Sequence, residues 1–215
     1  TIDAAIGTSS DRFGTITVDN VAGATFNQDV FVGNLVLTHN NNSFTFAGAN
    51  LDVVTTITST AASSGEITFA RDSAQTIDAQ IGNGENYFGS LIINDSAGVT
   101  FNKDIYATSL TTNNQSITFN GTNLDVTNGI DGTGTLTFTG TNLVTTNNGI
   151  TGVTGALTLS GTGTQTVDAA IGTSTADFGT VTVGSSSDAT FNEDIYATTL
   201  TTNNQSITFN GDNLD

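Results

Sequence analysis

Phe101-Asn102-Lys103-Asp104-Ile105-Tyr106-Ala107-Thr108-Ser109-Leu110-Thr111-Thr112-Asn113-Asn114-Gln115-Ser116-Ile117-Thr118-Phe119-Asn120-Gly121 comes back almost unchanged at 191–211 and more loosely at 26–48. A second phrase behaves the same way. Gln75-Thr76-Ile77-Asp78-Ala79-Gln80-Ile81-Gly82 recurs as Gln165-Thr166-Val167-Asp168-Ala169-Ala170-Ile171-Gly172, and the chain opens inside it at Thr1-Ile2-Asp3-Ala4-Ala5-Ile6-Gly7. The two phrases keep step with each other: Phe26, Phe101 and Phe191 open the copies of one, and Asp3, Asp78 and Asp168 sit at the same place in the copies of the other. Self-similarity of this kind is the signature of a repeat architecture, in which each unit buries its apolar face against its neighbours.

A shorter period runs inside the long one. Its marker is an apolar-Thr-apolar step ending at Phe26, Phe46, Phe69, Phe101, Phe119, Phe138, Leu159, Phe191 and Phe209. Most steps from marker to marker are about 20 residues, the lower end of the range for stacked repeats. Two are longer, from Phe69 to Phe101 and from Leu159 to Phe191. Alternation with period two sends the apolar residues to one face of a strand and Thr to the other. Thr15-Ile16-Thr17-Val18 and Thr180-Val181-Thr182-Val183 alternate likewise, and Leu91-Ile92-Ile93 is a more apolar counterpart. The spacing predicts an all-β parallel β-helix, or β-solenoid, of about nine coils of roughly 18–21 residues, each with three short strands. Corners are expected at Asn113-Asn114, Asn203-Asn204, Asn120-Gly121 and Asn148-Gly149, because Asn and Gly tolerate positive φ. At roughly 4.8 Å per coil the rod is on the order of 45 Å long, with the marker Phe side chains in one interior column. The two long intervals read as long coils with excursions at 82–87 and 172–177, or as one and a half turns. The alternative fold, an array of antiparallel sandwiches, does not require one short phrase to recur within a module.

The chain reads as a single continuous solenoid, residues 1–215, with internal modules 1–75, 76–165 and a truncated 166–215. The second module is longer than the first by enough for one inserted coil. The sequence opens and closes inside a repeat and shows no initiator Met or signal peptide, so we expect it to be a piece of something longer.

Composition restricts the function classes. Thr makes up about a fifth of the chain, Pro is absent, and 13 Phe accompany no Trp and no Met. That palette suits strands. The net charge is −17, with Arg12, Arg71 and Lys103 the sole cations. A nucleic-acid partner needs cations to displace phosphate counterions, so none is expected. An anionic membrane surface is disfavoured for the same reason, and no apolar run is long enough to insert as a helix. With no Cys, disulfides and thiolate metal sites are absent.

The chain offers few groups for chemistry. His39 is the one His, beside Asn40-Asn41-Asn42, where the first copy of the long phrase is slightly longer than the later copies. One His without Cys leaves no basis for a Ser-His-Asp, Cys-His or His-rich zinc site. Paired carboxylates could hydrolyse glycosides. The candidates are Asp29, Asp104 and Asp194 in the long phrase, and Asp3, Asp78 and Asp168 in the short one. They recur once per module, whereas a catalytic centre breaks local rules at one place, so we read them as corner residues that accept backbone N–H bonds. No catalytic, cofactor-binding or metal residue is assigned, and no cofactor is expected, weak Ca²⁺ binding between corner Asp residues aside. Thr15-x-Thr17, Thr135-x-Thr137 and Thr180-x-Thr182 raise ice binding, but the pairs are not repeated at every coil, and Thr is a good outward strand residue in any case.

Val99-Thr100-Phe101-Asn102-Lys103-Asp104-Ile105, Ser116-Ile117-Thr118-Phe119-Asn120-Gly121-Thr122-Asn123-Leu124-Asp125 and Gly134-Thr135-Leu136-Thr137-Phe138-Thr139-Gly140-Thr141-Asn142-Leu143 resemble the passenger repeats of bacterial autotransporter and filamentous-haemagglutinin-like surface proteins, the rickettsial surface antigens most nearly. The resemblance spans essentially the whole chain. It implies a right-handed helix, export to the cell surface, and a role in adhesion or a surface coat. The resulting expectation is a non-enzymatic extracellular protein of the bacterial cell surface, acting as a stalk, coat or filament subunit. Its expected partners are neighbouring repeats of the same protein, by self-association, and a glycan or protein receptor met through the loops at 82–87 and 39–42. A carbohydrate-active enzyme and a calcium- or ice-binding module are the alternatives.

Overall fold

The structure, a computed structural model, describes residues 1–19, 22–39, 42–140, 143–152 and 154–215, and of Leu143 the backbone alone. The described residues contain strands and turns and no helix. Every pairing between strands is parallel, each strand lying on the one a turn earlier. The chain is a β-solenoid of about nine turns.

Three ladders of inward side chains line one continuous core. On the side we call face A, Phe26 stacks on Phe46, Phe46 on Phe69 and Phe69 on Ile93. On face B the column runs Val30, Leu51, Ile77, Phe101, Phe119, Phe138, Leu159, Val183. On face C it runs Ile105, Leu124, Val144, Val167, Phe191, Phe209. A companion aliphatic ladder on face A passes from Phe44 through Ile67, Leu91, Leu110, Ile130, Ile150, Ile171 and Ile195 to Leu214. Nearly all these side chains are buried in a single cluster. Rings meet across it as well as along it: Phe69 and Phe101, on different faces, make an edge-to-face contact at 5.3 Å.

The marker Phe residues therefore form three columns, not the one column expected. The cause lies in the two long intervals. Phe69 stacks on Ile93 and Ile77 on Phe101, so a full turn ends at Ile93, short of the next marker. The stretch from Ile93 to Phe101 then carries that marker onto the adjacent face. The same happens after Leu159, whose turn closes at Val183 ahead of Phe191. Each long interval is one turn plus one side, neither one long coil nor one and a half turns. The step from Phe26 to Phe101 thus spans three turns and a side, and the step from Phe101 to Phe191 four turns and a side. The expected coil length holds between Phe101 and Leu159, from Phe26 to Phe46 and from Phe191 to Phe209, while the turns from Phe46 to Phe69, Phe69 to Ile93 and Leu159 to Val183 are longer and the one from Leu51 to Ile77 longest.

In the turns from Phe69 to Ile93 and from Leu159 to Val183 the extra length goes into short outward loops. Chain 82–87 leaves the wall, closes on itself through Asn83 and Asn86, and returns at buried Phe88; chain 172–177 does the same through Thr173 and Ala176 ahead of buried Phe178. Gly7, Gly82 and Gly172 start these loops and their first-module counterpart with φ of 70°, 65° and 71°, and a Cβ there would lie 2.3, 2.2 and 2.1 Å from a carbonyl oxygen of the next turn. Glycine is the residue that meets both demands. At the expected corners, Asn113, Asn114, Asn203, Asn204 and Gly149 do take positive φ. Gly121 does not. It is glycine because a Cβ would come within 2.6 Å of the Lys103 carbonyl oxygen.

Candidate functional site

The recurring carboxylates are the first place to look for chemistry. Asp104 accepts from the backbone N–H of Thr122 (2.7 Å) and Asn123 (3.0 Å) on one oxygen, and from Asn123 Nδ2 (3.0 Å) on the other. Asp29 holds Ala49 and Asn50 in the same way, at 2.7, 3.1 and 2.7 Å. Asp194 holds Asp212 and Asn213 at 2.8, 2.9 and 2.8 Å. Each Asp thus ties one turn to the corner of the next. The Phe-Asn-x-Asp and Asn-Leu-Asp phrases are the two halves of one clamp. Burial alone would raise the pKa of Asp29, but the bonds from Asn50 and Ala49, with Arg71 nearby, outweigh it and hold the carboxyl below its ordinary value. For Asp194 the Asn213 side chain and backbone dominate, with the same direction.

Asp3, Asp78 and Asp168 depart from the expectation: they are bonded to side-chain amides of the next turn, not to backbone N–H groups. Asp3 accepts from Asn27 Nδ2 and Asp78 from Asn102 Nδ2, both at 2.6 Å, and Asp168 accepts from Asn192. Asn102 in turn accepts from Asn120 and Asn192 from Asn210, both at 2.7 Å. Because each module starts one face further round, the members of each set stand on three different sides of the rod. The structure does not bring either set together, and the geometry of paired acid and base is not formed by them. Among the described residues, no three His, Asp or Glu side chains converge as a metal cage would require.

The two loops picked out from sequence behave differently. His39 is exposed and meets Asp19 at 3.0 Å. Asn42 is buried, donating at 2.6 Å to the Val18 carbonyl oxygen, while Asn40 and Asn41 lie outside the described residues. In the 82–87 loop, Tyr87 is tied down. Its hydroxyl donates to Asp125 and its ring meets Tyr106 edge-on at 6.1 Å. Burial, then the Asp125 carboxylate, pushes its phenol up to about 12.

One feature is invisible until register is known. On the outer surface of face B, Thr76, Thr100, Thr118, Thr137, Thr158, Thr182 and Thr201 stack in register, one on each of seven successive turns. Beside them, from Ser116 on, runs a second column of Ser116, Thr135, Ala156, Thr180 and Thr199. Thr-x-Thr pairs do not repeat at every coil, as expected, since Ser116 and Ala156 interrupt the second column, but the single Thr column is continuous because its members come from different phrases. Its signal in the sequence was the central Thr of each marker. On face A the equivalent column is broken by Ile92 and Asp131 after Thr25, Thr45 and Thr68. On face C the equivalent column of Thr208, Thr190 and Thr166 is continued by Leu143 and Asn123 in place of Thr. The surface depressions are shallow, among them a Ser-rich groove on face A lined by Ser43, Ser64, Glu66, Ser90 and Ser109.

No protein-family model matches the chain, and no curated protein or solved structure matches it.

Proposed function

We propose that the chain is a non-enzymatic structural rod of the bacterial cell surface or extracellular space, a stalk, coat or filament subunit that supports adhesion or surface assembly. The observation that carries the reading is the pairing of an unbroken core with Asp clamps on three sides. Bending such a rod means parting ladder hydrogen bonds on the side that opens, and the clamps, spread over three sides, add to that resistance. The charge of −17 supports the same reading, since it keeps a long strand-rich surface soluble. The resemblance to autotransporter and haemagglutinin-like passenger repeats points the same way. The partners proposed are neighbouring repeats of the same protein and a receptor engaged through surface loops, without nucleic acid and without membrane insertion by these strands.

Immunogold electron microscopy of intact source cells, with antibodies to this chain, tests the proposal. Label on thin external stalks or on a continuous coat is the expected result. Label confined to the interior of sectioned cells overturns it.

A further inference from the structure

We propose that face B, over the five turns from Ser116 to Thr201, is a binding surface for crystalline ice. Its two columns, Ser116, Thr135, Ala156, Thr180 and Thr199 beside Thr118, Thr137, Thr158, Thr182 and Thr201, pair in register with no bulge at any step. Along a strand the columns are about 6.6 Å apart, and along the rod successive turns repeat at about 4.8 Å. The shorter repeat lies close to that of oxygen atoms on a prism face of hexagonal ice, and the longer falls somewhat below its counterpart. The array presents hydroxyls and methyls on a lattice about 24 Å long.

Three further observations point to water as the ligand. None of the hydroxyls in either column has a hydrogen-bond partner within the described protein, which leaves them all for water. On a chain of charge −17, no outward residue of the array is charged, nor is any of the flanking Asn120, Thr139 and Ser160. A charged face would hold its own hydration shell and resist a crystal, whereas removing water from uncharged hydroxyl-methyl groups costs far less. Thr is stiff at χ1, and its ladder mates hold it further, so little side-chain entropy is lost on contact. Many weak contacts to one solid then act together.

The array has a gap at Ala156, between Thr135 and Thr180. Ala156→Thr would complete the column without altering the strand pattern. Thr137→Tyr, at the centre, would lift the face off a flat solid while keeping a strand-forming residue. Thr45→Tyr, on face A, is the control.

The test is thermal hysteresis with ice-crystal shaping, together with partition of the protein into a slowly grown ice hemisphere. Circular dichroism shows that each variant is folded. The chain is expected to shape crystals and enter ice. Thr137→Tyr should cut the hysteresis roughly tenfold by steric exclusion, Ala156→Thr should raise it, and Thr45→Tyr should leave it unchanged. Exclusion of the parent chain from ice, or equal activity of folded Thr137→Tyr, overturns the proposal. So does a dimer in sedimentation that Thr137→Tyr dissolves while no ice activity is seen, since the face would then meet a second copy.

Discussion

Asp104→Ala removes one clamp and leaves the others intact, which makes it a clean measure of what a clamp contributes. The carboxylate accepts three bonds from the next turn, two to backbone N–H groups and one to Asn123 Nδ2. Hydrogen bonds to a charged acceptor contribute about 1.5–3 kcal/mol each when the groups are buried. Here Thr122 is exposed and Asn123 and Asp104 are half-buried, so water replaces part of the loss. A helix N-cap, where one side chain likewise satisfies orphan N–H groups, contributes about 0.5–2 kcal/mol. With an additional side-chain bond, we expect Asp104→Ala to destabilise by about 2–3 kcal/mol. Asp104→Asn keeps one acceptor oxygen and should lose about 1 kcal/mol. Urea unfolding followed by far-ultraviolet circular dichroism reads both values. Because stability in a stacked array is a sum of unit and nearest-neighbour terms, a break at one junction is felt by the whole transition. Asn123→Ala closes a double-mutant cycle, and the double variant should be less destabilised than the sum of the two singles. An Asp104→Ala midpoint equivalent to less than about 0.5 kcal/mol, the range of ordinary surface substitutions, refutes the clamp.

Two further outcomes follow from the same geometry. Asp29 has a depressed pKa in the folded chain. Its clamp is therefore fully effective above the ordinary carboxylate value of about 4 and is lost as pH falls through the lower folded value. Thermal midpoints of the parent and Asp29→Asn should differ at neutral pH and converge in acid; a gap that stays constant down to acid pH contradicts the assignment. Deletion of Asn120–Phe138 removes one whole turn, since Phe119 and Phe138 are stacked partners. It takes one member from each inward ladder and should leave a folded, shorter solenoid, whereas deletion of 120–129 throws the ladders out of register and should unfold that region. Equal folding of both deletions by circular dichroism and proteolysis would mean that the turn is not the structural unit.

Most of the architecture was legible because period-two alternation and internal duplication are both local signals. The apolar-Thr-apolar marker fixed strand positions, and Asn113-Asn114 and Asn203-Asn204 fixed corners, since few other residues take αL readily. The capping role of Asp29, Asp104 and Asp194 was legible too, because each recurred with its phrase and a Phe-Asn-x-Asp corner leaves backbone N–H groups to satisfy. The arrangement of faces was not legible. The step from Phe101 to Phe119 and the longer one from Phe69 to Ile93 each make a turn, but nothing local says whether Phe101 lies above Phe69 or beside it. That is decided by how much chain the outward loop at Gly82 absorbs, and loops of different length satisfy the same apolar pattern. Gln75 and Gln165 illustrate the same limit. Nothing local marks them as interior, yet both are buried, each with its side-chain amide on two carbonyl oxygens of the preceding turn.

The mismatch between repeat and turn accounts for both properties proposed for this chain. A module of whole turns would place every Asp clamp on one side, leaving the other two sides held by ladder bonds alone. Because each module instead advances by one face, the clamps at Asp29, Asp104 and Asp194 spread around the rod, and resistance to bending is shared. The same advance keeps any one carboxylate set from gathering. Face B escapes this mixing for a specific reason. The marker enters it at Phe101 and, through the inserted turn, stays for Phe119, Phe138 and Leu159 before moving on, the longest residence on any face. The central Thr of each marker then lies above the last, and the strand Phe178–Val183 extends the row with Thr180 and Thr182. One inserted turn thus lengthens a uniform hydroxyl lattice without placing a charge in it. On this account, removing one turn of that run shortens the lattice and weakens ice binding in proportion while leaving the stacked ladders, and hence the rod, in place.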